Sequence, residues 1–260
     1  MRVAVVGGTG VVGSLVVGEL AAHGDEVRIL SRRPPGELSS GTSHHRVDLE
    51  TGEGLPEGVA RMDAVIDASN ELKKAEAVLV DGTRRLLEAE AAAGVSHHVA
   101  ISIVGCDRTP TSYYDAKAAQ EEVVKVGPVA WSTLRATQFH TLLSWLFESA
   151  GRWRVTPAGR IPLQPIDPAV VARRIAEVVY SEPAGRLPDI AGPRVETLTE
   201  LSRAWRERSG RRSLPVPMAI PGKLGRALRG ESLCNPGVAA DGPTFAEWLS
   251  GEGPRSGSIP

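Results

Sequence analysis

The chain has 260 residues, 42% of them hydrophobic, enough for one large α/β domain with its own core or for such a domain with a small cap. Its net charge of −1 gives no global field toward nucleic acid or a membrane surface, and no apolar run approaches the roughly 20 residues of a membrane helix. Two distant cysteines, Cys106 and Cys234, form no metal or redox motif and fit a reducing, cytoplasmic setting. The first residues already read as a strand rather than as a signal peptide.

Arg2 to Val6 is a short β-branched run, followed by Gly7-Gly8-Thr9-Gly10-Val11-Val12-Gly13 and a helical apolar pattern through Leu20. Gly24-Asp25 ends that helix, and Glu26 to Leu30 is the next strand. In this strand–turn–helix–strand context a glycine fingerprint implies dinucleotide binding. Gly7 serves the tight turn, Gly10 the close approach of a pyrophosphate, and Gly13 the packing of helix on sheet. The N–H groups from Thr9 to Gly13 and the positive end of the helix dipole then face the phosphates. The second strand ends at Ser31-Arg32-Arg33, where an NAD site usually carries an acid about 20 residues past the glycines. Two arginines offer forks for a 2′-phosphate instead, so NADP(H) is expected over NAD(H).

The third strand is expected over His44 to Leu49, followed by a polar Gly/Glu/Pro stretch to Gly58. Asp63 to Ala68 reads as a fourth strand, Lys74 to Ala93 as a long helix, and His97 to Val104 as a fifth strand. A helix from Tyr113 to Val126, a sixth strand from Val129 to Arg135, and a helix from Gln138 to Ser149 complete the alternation. That pattern predicts a Rossmann-type, doubly wound parallel sheet over residues 1–150. Beyond Gly151 prolines cluster. Residues 151–250 read as a small substrate-side lobe that is not an independent domain. Short strands are expected near Arg160 to Pro165 and Pro188 to Ile190. Helices are expected from Asp167-Pro168 to Tyr180 and from Leu198 to Ser209. The Gly/Pro-rich tail 251–260 is expected to be disordered.

Tyr113 and Lys117, four apart in Tyr113-Tyr114-Asp115-Ala116-Lys117, share one helix face. A phenol near pKa 10 works poorly at neutral pH, and a fixed cation beside it favours the phenolate. A three-unit change needs roughly 4 kcal/mol of differential interaction. The tuned phenol can then pass a proton to a carbonyl oxygen as hydride reaches its carbon. Only five of the 30 basic residues are lysines, which weighs against a chance pairing. Tyr114 takes the role if the helix starts one residue later. His140, at a helix start, either faces substrate or packs on the core. His44-His45 and His97-His98 lack partners at zinc-ligand spacing, so no metal is expected.

These residues together resemble a short-chain dehydrogenase/reductase of the extended or atypical branch, nearest the NAD(P)H-binding group related to the NmrA-like proteins. The resemblance is carried by Gly7 to Gly13, Asp48-Leu49, Asp67-Ala68-Ser69-Asn70, Tyr113 to Lys117 with Glu121 or Glu122, and Leu134 to Phe139. It implies that Asp48 binds the adenine amino group, with Leu49 in the cofactor-binding set, and that Ala68 and Ser69 flank the adenosine. It implies Tyr113 as acid/base, with Lys117 as its partner and a ligand of the nicotinamide ribose. The stretch Thr137-Gln138-Phe139 would border the nicotinamide. Ser102 is the nearest match to the family serine that holds the substrate oxygen, although the usual serine pair is missing. The activity so implied is hydride transfer to a small carbonyl, quinone or enone. Two alternatives stand beside it. One is a non-catalytic NADP(H) sensor, since some NmrA-like relatives have lost the tyrosine. The other is a nucleotide-sugar epimerase, with Arg152, Arg154 and Arg160 as a diphosphate clamp.

Overall fold

The computed structural model describes residues 1–238 and 242–251. The chain divides into two compact units. One comprises Met1–Ser102, Ser112–Arg135 and Val171–Pro188; the other comprises Ile103–Thr111, Ala136–Val170 and the described residues from Asp189 onward.

The first unit is built on a seven-stranded sheet. Its strands are β1 (Arg2–Val6), β2 (Glu26–Ser31), β3 (Thr42–Arg46), β4 (Ala64–Asp67), β5 (His97–Ile103), β6 (Trp131–Ala136) and β9 (Gly185–Arg186). They lie in the order β3-β2-β1-β4-β5-β6-β9. The first five pair in parallel, and β6 is parallel to β9. This is the Rossmann-type order, in which the chain reverses direction across the sheet beside β1. β1 and β4 are buried along nearly their whole length, as a sheet covered by helices on both faces requires. The helices of this unit are α1 (Val11–Ala22), α2 (Leu55–Val59), α3 (Gly82–Ala93), α4 (Ser112–Val126) and, from Val171 on, α6 (Pro168–Val179). Leu30, Val47, Leu55, Val65, Leu86 and Val124 fill the core between strands and helices.

Two expectations shift in this unit. The third strand runs only three residues into the expected range, His44 to Arg46, because Thr42 to Arg46 pair with Val27 to Ser31 at the sheet edge. Val47 and Leu49 are buried after the strand has ended, so their apolar signal belongs to the exit turn. Leu55–Val59 is helical where a polar loop was expected; Pro56 sits in its first turn, where a missing N–H is tolerated. The long helix begins as a π-helical turn, Glu76–Asp81, and continues as α3. Leu79 of that turn packs with Ala75 and Ala116, and Tyr113 rests against the same cluster.

The second unit is poorer in regular structure. It contains α5 (His140–Gly151), β7 (Val155–Ala158), β8 (Pro162–Leu163), β10 (Glu196–Thr197), α7 (Leu198–Ser209), β11 (Leu214–Pro217), α8 (Gly222–Arg229) and α9 (Phe245–Ser250). β8 pairs antiparallel with β10, and β7 pairs parallel with β11. The short strand expected at Pro188–Ile190 is reduced to one bridge between Ala136 and Ile190, while Gly185–Arg186 forms β9 in the other unit. α7 begins with a capping box, Thr197 with Glu200. The tail expected to be disordered lies, from residue 252, outside the described residues. No helix among the described residues is long and apolar enough to cross a membrane.

Candidate functional site

The glycines of the first turn are set by close backbone contacts. Gly7 has φ +70°, and a Cβ there would lie 2.7 Å from the Ala68 carbonyl oxygen. A Cβ on Gly13 would lie 2.2 Å from the Gly7 carbonyl oxygen. Gly7 N–H donates to Leu30 O at 2.9 Å and Gly10 N–H to Gly7 O at 2.8 Å, which closes the turn. Gly10 caps α1 without a side-chain acceptor, and the first turn of the helix has no acid. That leaves the positive end of the helix to an anion. Thr9 and Gly10 are exposed and Val11 is half-buried, whereas Val12 is buried and offers only its backbone.

At the end of β2, Ser31 Oγ donates to Arg33 O at 2.6 Å and lies 3.1 Å from His44 Nε2. Arg32 and Arg33 are exposed, and the Arg32 guanidinium stands 3.9 Å from the Glu71 carboxylate. Asp48 is half-buried and accepts Glu50 N–H at 2.9 Å. Leu49 is buried in the core, packed so closely that a Cβ on Gly82 would be 2.9 Å from it.

The segment after β4 joins the glycine turn to α4. Ala68 lies against Gly7, and Ser69 N–H donates to Asp67 Oδ1 at 2.9 Å. The Ser69 hydroxyl is buried with no hydrogen-bond partner. Such an orphan is costly unless a ligand or water meets it. Tyr113 OH donates to Asn70 Oδ1 at 2.7 Å, and its ring stands edge-on to Tyr114 at 5.7 Å. An orphaned hydroxyl, a turn whose glycines admit no side chain and a bare helix N-terminus suit the phosphates and sugar of a dinucleotide.

Lys117, one turn beyond Tyr113, is only 3% exposed. Its ammonium donates to Ile101 O at 2.9 Å and to Gln120 Oε1 at 2.6 Å. Ser102 is buried and hydrogen-bonded to Glu121, which takes a two-pronged ion pair from Arg135 at 2.7 and 2.6 Å. Burial alone raises the carboxyl of Glu121, but the bonds from Arg135 and Ser102 prevail and hold it below the ordinary glutamate range. The Ser102 hydroxyl is therefore engaged with a carboxylate in this structure. The sequence reading missed Asn70 as the partner of the phenol and Gln120 as the partner of Lys117. The second was visible as an i,i+3 neighbour on the same helix.

Three expected site residues sit in the second unit, all buried. Thr137 Oγ1 accepts Gly192 N–H at 3.2 Å. Gln138 donates to Leu233 O at 2.8 Å and accepts Gln164 N–H at 3.2 Å. Of its two expected readings, His140 takes the one that packs on the core: it is 0% exposed, bonded to Pro243 O at 3.0 Å and flanked by Phe245 and Trp248. Burial holds its imidazole below the ordinary histidine value, against the contrary pull of the Pro243 bond. Cys106 and Cys234 are free and buried; burial pushes the Cys234 thiol up to about 12. Among the described residues no group of three or more His, Cys, Asp or Glu side chains could hold a metal ion.

A family model described as NAD(P)H-binding matches residues 7–182. No curated protein sequence matches the chain. Several solved structures share the fold. A nucleoside-diphosphate-sugar epimerase from Staphylococcus aureus superposes with a TM-score of 0.80 at 16% identity, over 96% of this chain and 100% of that one. An NADPH-dependent quinone oxidoreductase from Escherichia coli, complexed with NADPH, has a TM-score of 0.80 at 18% identity, over 95% of this chain and 98% of that one. A short-chain dehydrogenase/reductase superfamily protein from Agrobacterium tumefaciens, with bound NAD, has a TM-score of 0.73 at 22% identity, over 96% of this chain and 95% of that one.

Proposed function

Because the chain belongs to the NAD(P)H-binding family, we propose that it is an NADPH-dependent reductase of a small carbonyl, quinone or enone, of the atypical, NmrA-like short-chain dehydrogenase/reductase kind. One observation carries the reading. The Ala68-Ser69-Asn70 segment touches both the glycine turn, through Gly7, and the phenol, through the 2.7 Å bond from Tyr113 to Asn70. The anion-binding end of α1 and the candidate proton donor thus meet one short stretch of chain.

Gly7, Gly10 and Gly13, with the N–H groups of Thr9 to Val12, would hold the diphosphate. Asp48 and Ser69 would serve the adenosine, and Ser31, Arg32 and Arg33 a 2′-phosphate. NADPH, when bound, supplies the hydride. Tyr113 gives its hydroxyl proton to the substrate oxygen, and the Lys117 charge stabilises the phenolate left behind. Asn70 fixes the phenol in the meantime. The E. coli neighbour's name and its bound NADPH support the choice of cofactor and substrate class. The discriminating experiment measures NADPH and NADH dissociation constants, then NADPH oxidation over a panel of quinones, ketones and enones, with Tyr113→Phe alongside. Wild-type turnover that Tyr113→Phe loses while keeping its NADPH affinity is expected. Equal affinities for the two cofactors would remove the NADPH preference, and full activity in Tyr113→Phe would remove the mechanism.

A second reading, epimerisation of a nucleotide-linked sugar, is favoured by the S. aureus neighbour, which is covered along its whole length by this chain. It predicts interconversion of UDP-sugars with no net NADPH consumption.

A further inference from the structure

We infer that Gln120 is a positioning residue, the amide that couples the buried Asp67 carboxylate to the Lys117 ammonium and so keeps that lysine charged inside the protein. The inference rests on the reductase reading only for its consequence in catalysis.

Lys117 and Asp67 are both buried, at 3% and 1% exposure. A buried ammonium is costly unless it meets acceptors and a counter-charge. The two acceptors named above, Ile101 O and Gln120 Oε1, are neutral. The amide links the ammonium to a counter-charge. Gln120 Nε2 donates to Asp67 Oδ2 at 3.0 Å and to Thr83 Oγ1 at 3.0 Å. Thr83 Oγ1 in turn donates to Asp67 Oδ2 at 3.3 Å. Asp67 Oδ1 is occupied by Ser69 N–H at 2.9 Å.

The chemistry of the ends fixes the amide. A carboxylate only accepts and an ammonium only donates, so a group between them must present a donor to one and an acceptor to the other. Glutamine does both, and the opposite flip would set its NH₂ against the ammonium and its oxygen against the carboxylate. Polarised from both sides, the amide carries the electrostatic influence of Asp67 to Lys117 across two hydrogen bonds. The same Asp67 anchors the turn that carries Ser69 and Asn70, so one carboxylate sets both the lysine and the partner of the phenol.

The titratable groups around the relay are known. Tyr113 lies one turn before Lys117 on α4, and Glu121, paired with Arg135, lies one turn after it. The buried Glu90–His98 pair, from α3 and β5, interacts electrostatically with Asp67. A change in Lys117 is therefore read against variants that leave these groups in place.

The test is a pH titration of Lys117 by NMR in lysine-labelled full-length protein. Five lysine signals are expected, and Lys117→Arg assigns the relevant one. In the wild type, Lys117 should titrate near or above the ordinary lysine value of about 10.4. A midpoint near 6, as in buried lysines without partners, overturns the relay, and this arm needs no variant to fold. Gln120→Met and Asp67→Asn should lower the midpoint by about one pH unit or more. The double variant Asp67→Asn/Gln120→Glu, which moves the negative charge one residue nearer the lysine, should restore it. A folded Gln120→Met with the wild-type midpoint overturns the relay. In the assay, the alkaline limb of the rate profile should move down with the same variants. If the wild type turns over none of the substrate panel, the reductase reading fails, while the titration still decides the relay.

Discussion

At the strand ends of the first unit, Thr9, Gly10, Arg32 and Arg33 are exposed, and Tyr113 bonds a neighbouring side chain, Asn70. In the second unit Thr137, Gln138, His140 and Gln164 are buried, and each bonds a backbone atom. The contrast follows from the sheet. Strands of the first unit satisfy one another's backbone along a continuous ladder, which releases side chains at their ends for other work. The second unit has paired strands of only two to four residues, and its backbone groups depend on side chains for partners. Polar residues of the same types are therefore open to ligand chemistry in one unit and part of the scaffold in the other.

The largest expected effect tests the open side of that contrast. In Gly13→Val a Cβ would stand 2.2 Å from Gly7 O and 2.9 Å from Gly8 Cα, both backbone atoms that cannot move without opening the turn. Overpacking of this kind costs about 3 kcal/mol. NADPH affinity, measured by titration, should fall about a hundredfold, the equivalent of ~3 kcal/mol. A protein that keeps its NADPH affinity would place the phosphates elsewhere.

This site was legible because its signals are local. The turn, the helix and the next strand lie within thirty-odd residues, and Gly7 and Gly13 meet each other across six positions of chain. The parallel, doubly wound sheet followed from the alternation of its strands with helices. What stayed hidden depended on distant partners. Nothing in Thr137-Gln138-Phe139 announces that Gln138 will meet Leu233, 95 residues on, or that His140 will meet Pro243. α2 was lost because Gly54, Pro56 and Gly58 read as a loop, although Leu55 and Val59 bury on the sheet. Ser102 was placed correctly on β5, but its partner Glu121 was visible only once α4 had been set beside the strand.

The closed side of the contrast predicts a smaller change with a different signature. Gln138→Leu removes the donor to Leu233 O and the acceptor for Gln164 N–H, and leaves both backbone groups buried without them. Loss of about 1–3 kcal/mol of stability is expected in urea unfolding. NADPH affinity of the folded variant should stay within about twofold of the wild type, less than 0.5 kcal/mol. A tenfold loss of affinity with unchanged stability would return Gln138 to the cofactor site and blur the distinction between the units.

The smallest effect is a pH dependence carried by His140. Burial holds its folded-state pKa below the ordinary 6.5. As pH falls through about 6.5, the unfolded chain takes up a proton that the folded chain refuses, so stability drops toward acid until the folded-state value is reached. His140→Phe keeps an aromatic ring beside Phe245 and Trp248 but loses the bond to Pro243 O, which costs about 1 kcal/mol at pH 8. Because the phenyl ring binds no proton, its deficit should shrink as pH is lowered from 8 to 5. Unfolding free energies of the two proteins, measured at several pH values, report that gap directly. His97, also held below its ordinary value, largely by burial, is present in both proteins and cancels from the difference. A gap that is constant with pH would mean that His140 protonates as readily in the folded protein as in the unfolded chain, and the sealed aromatic pocket of the second unit would have to open to water.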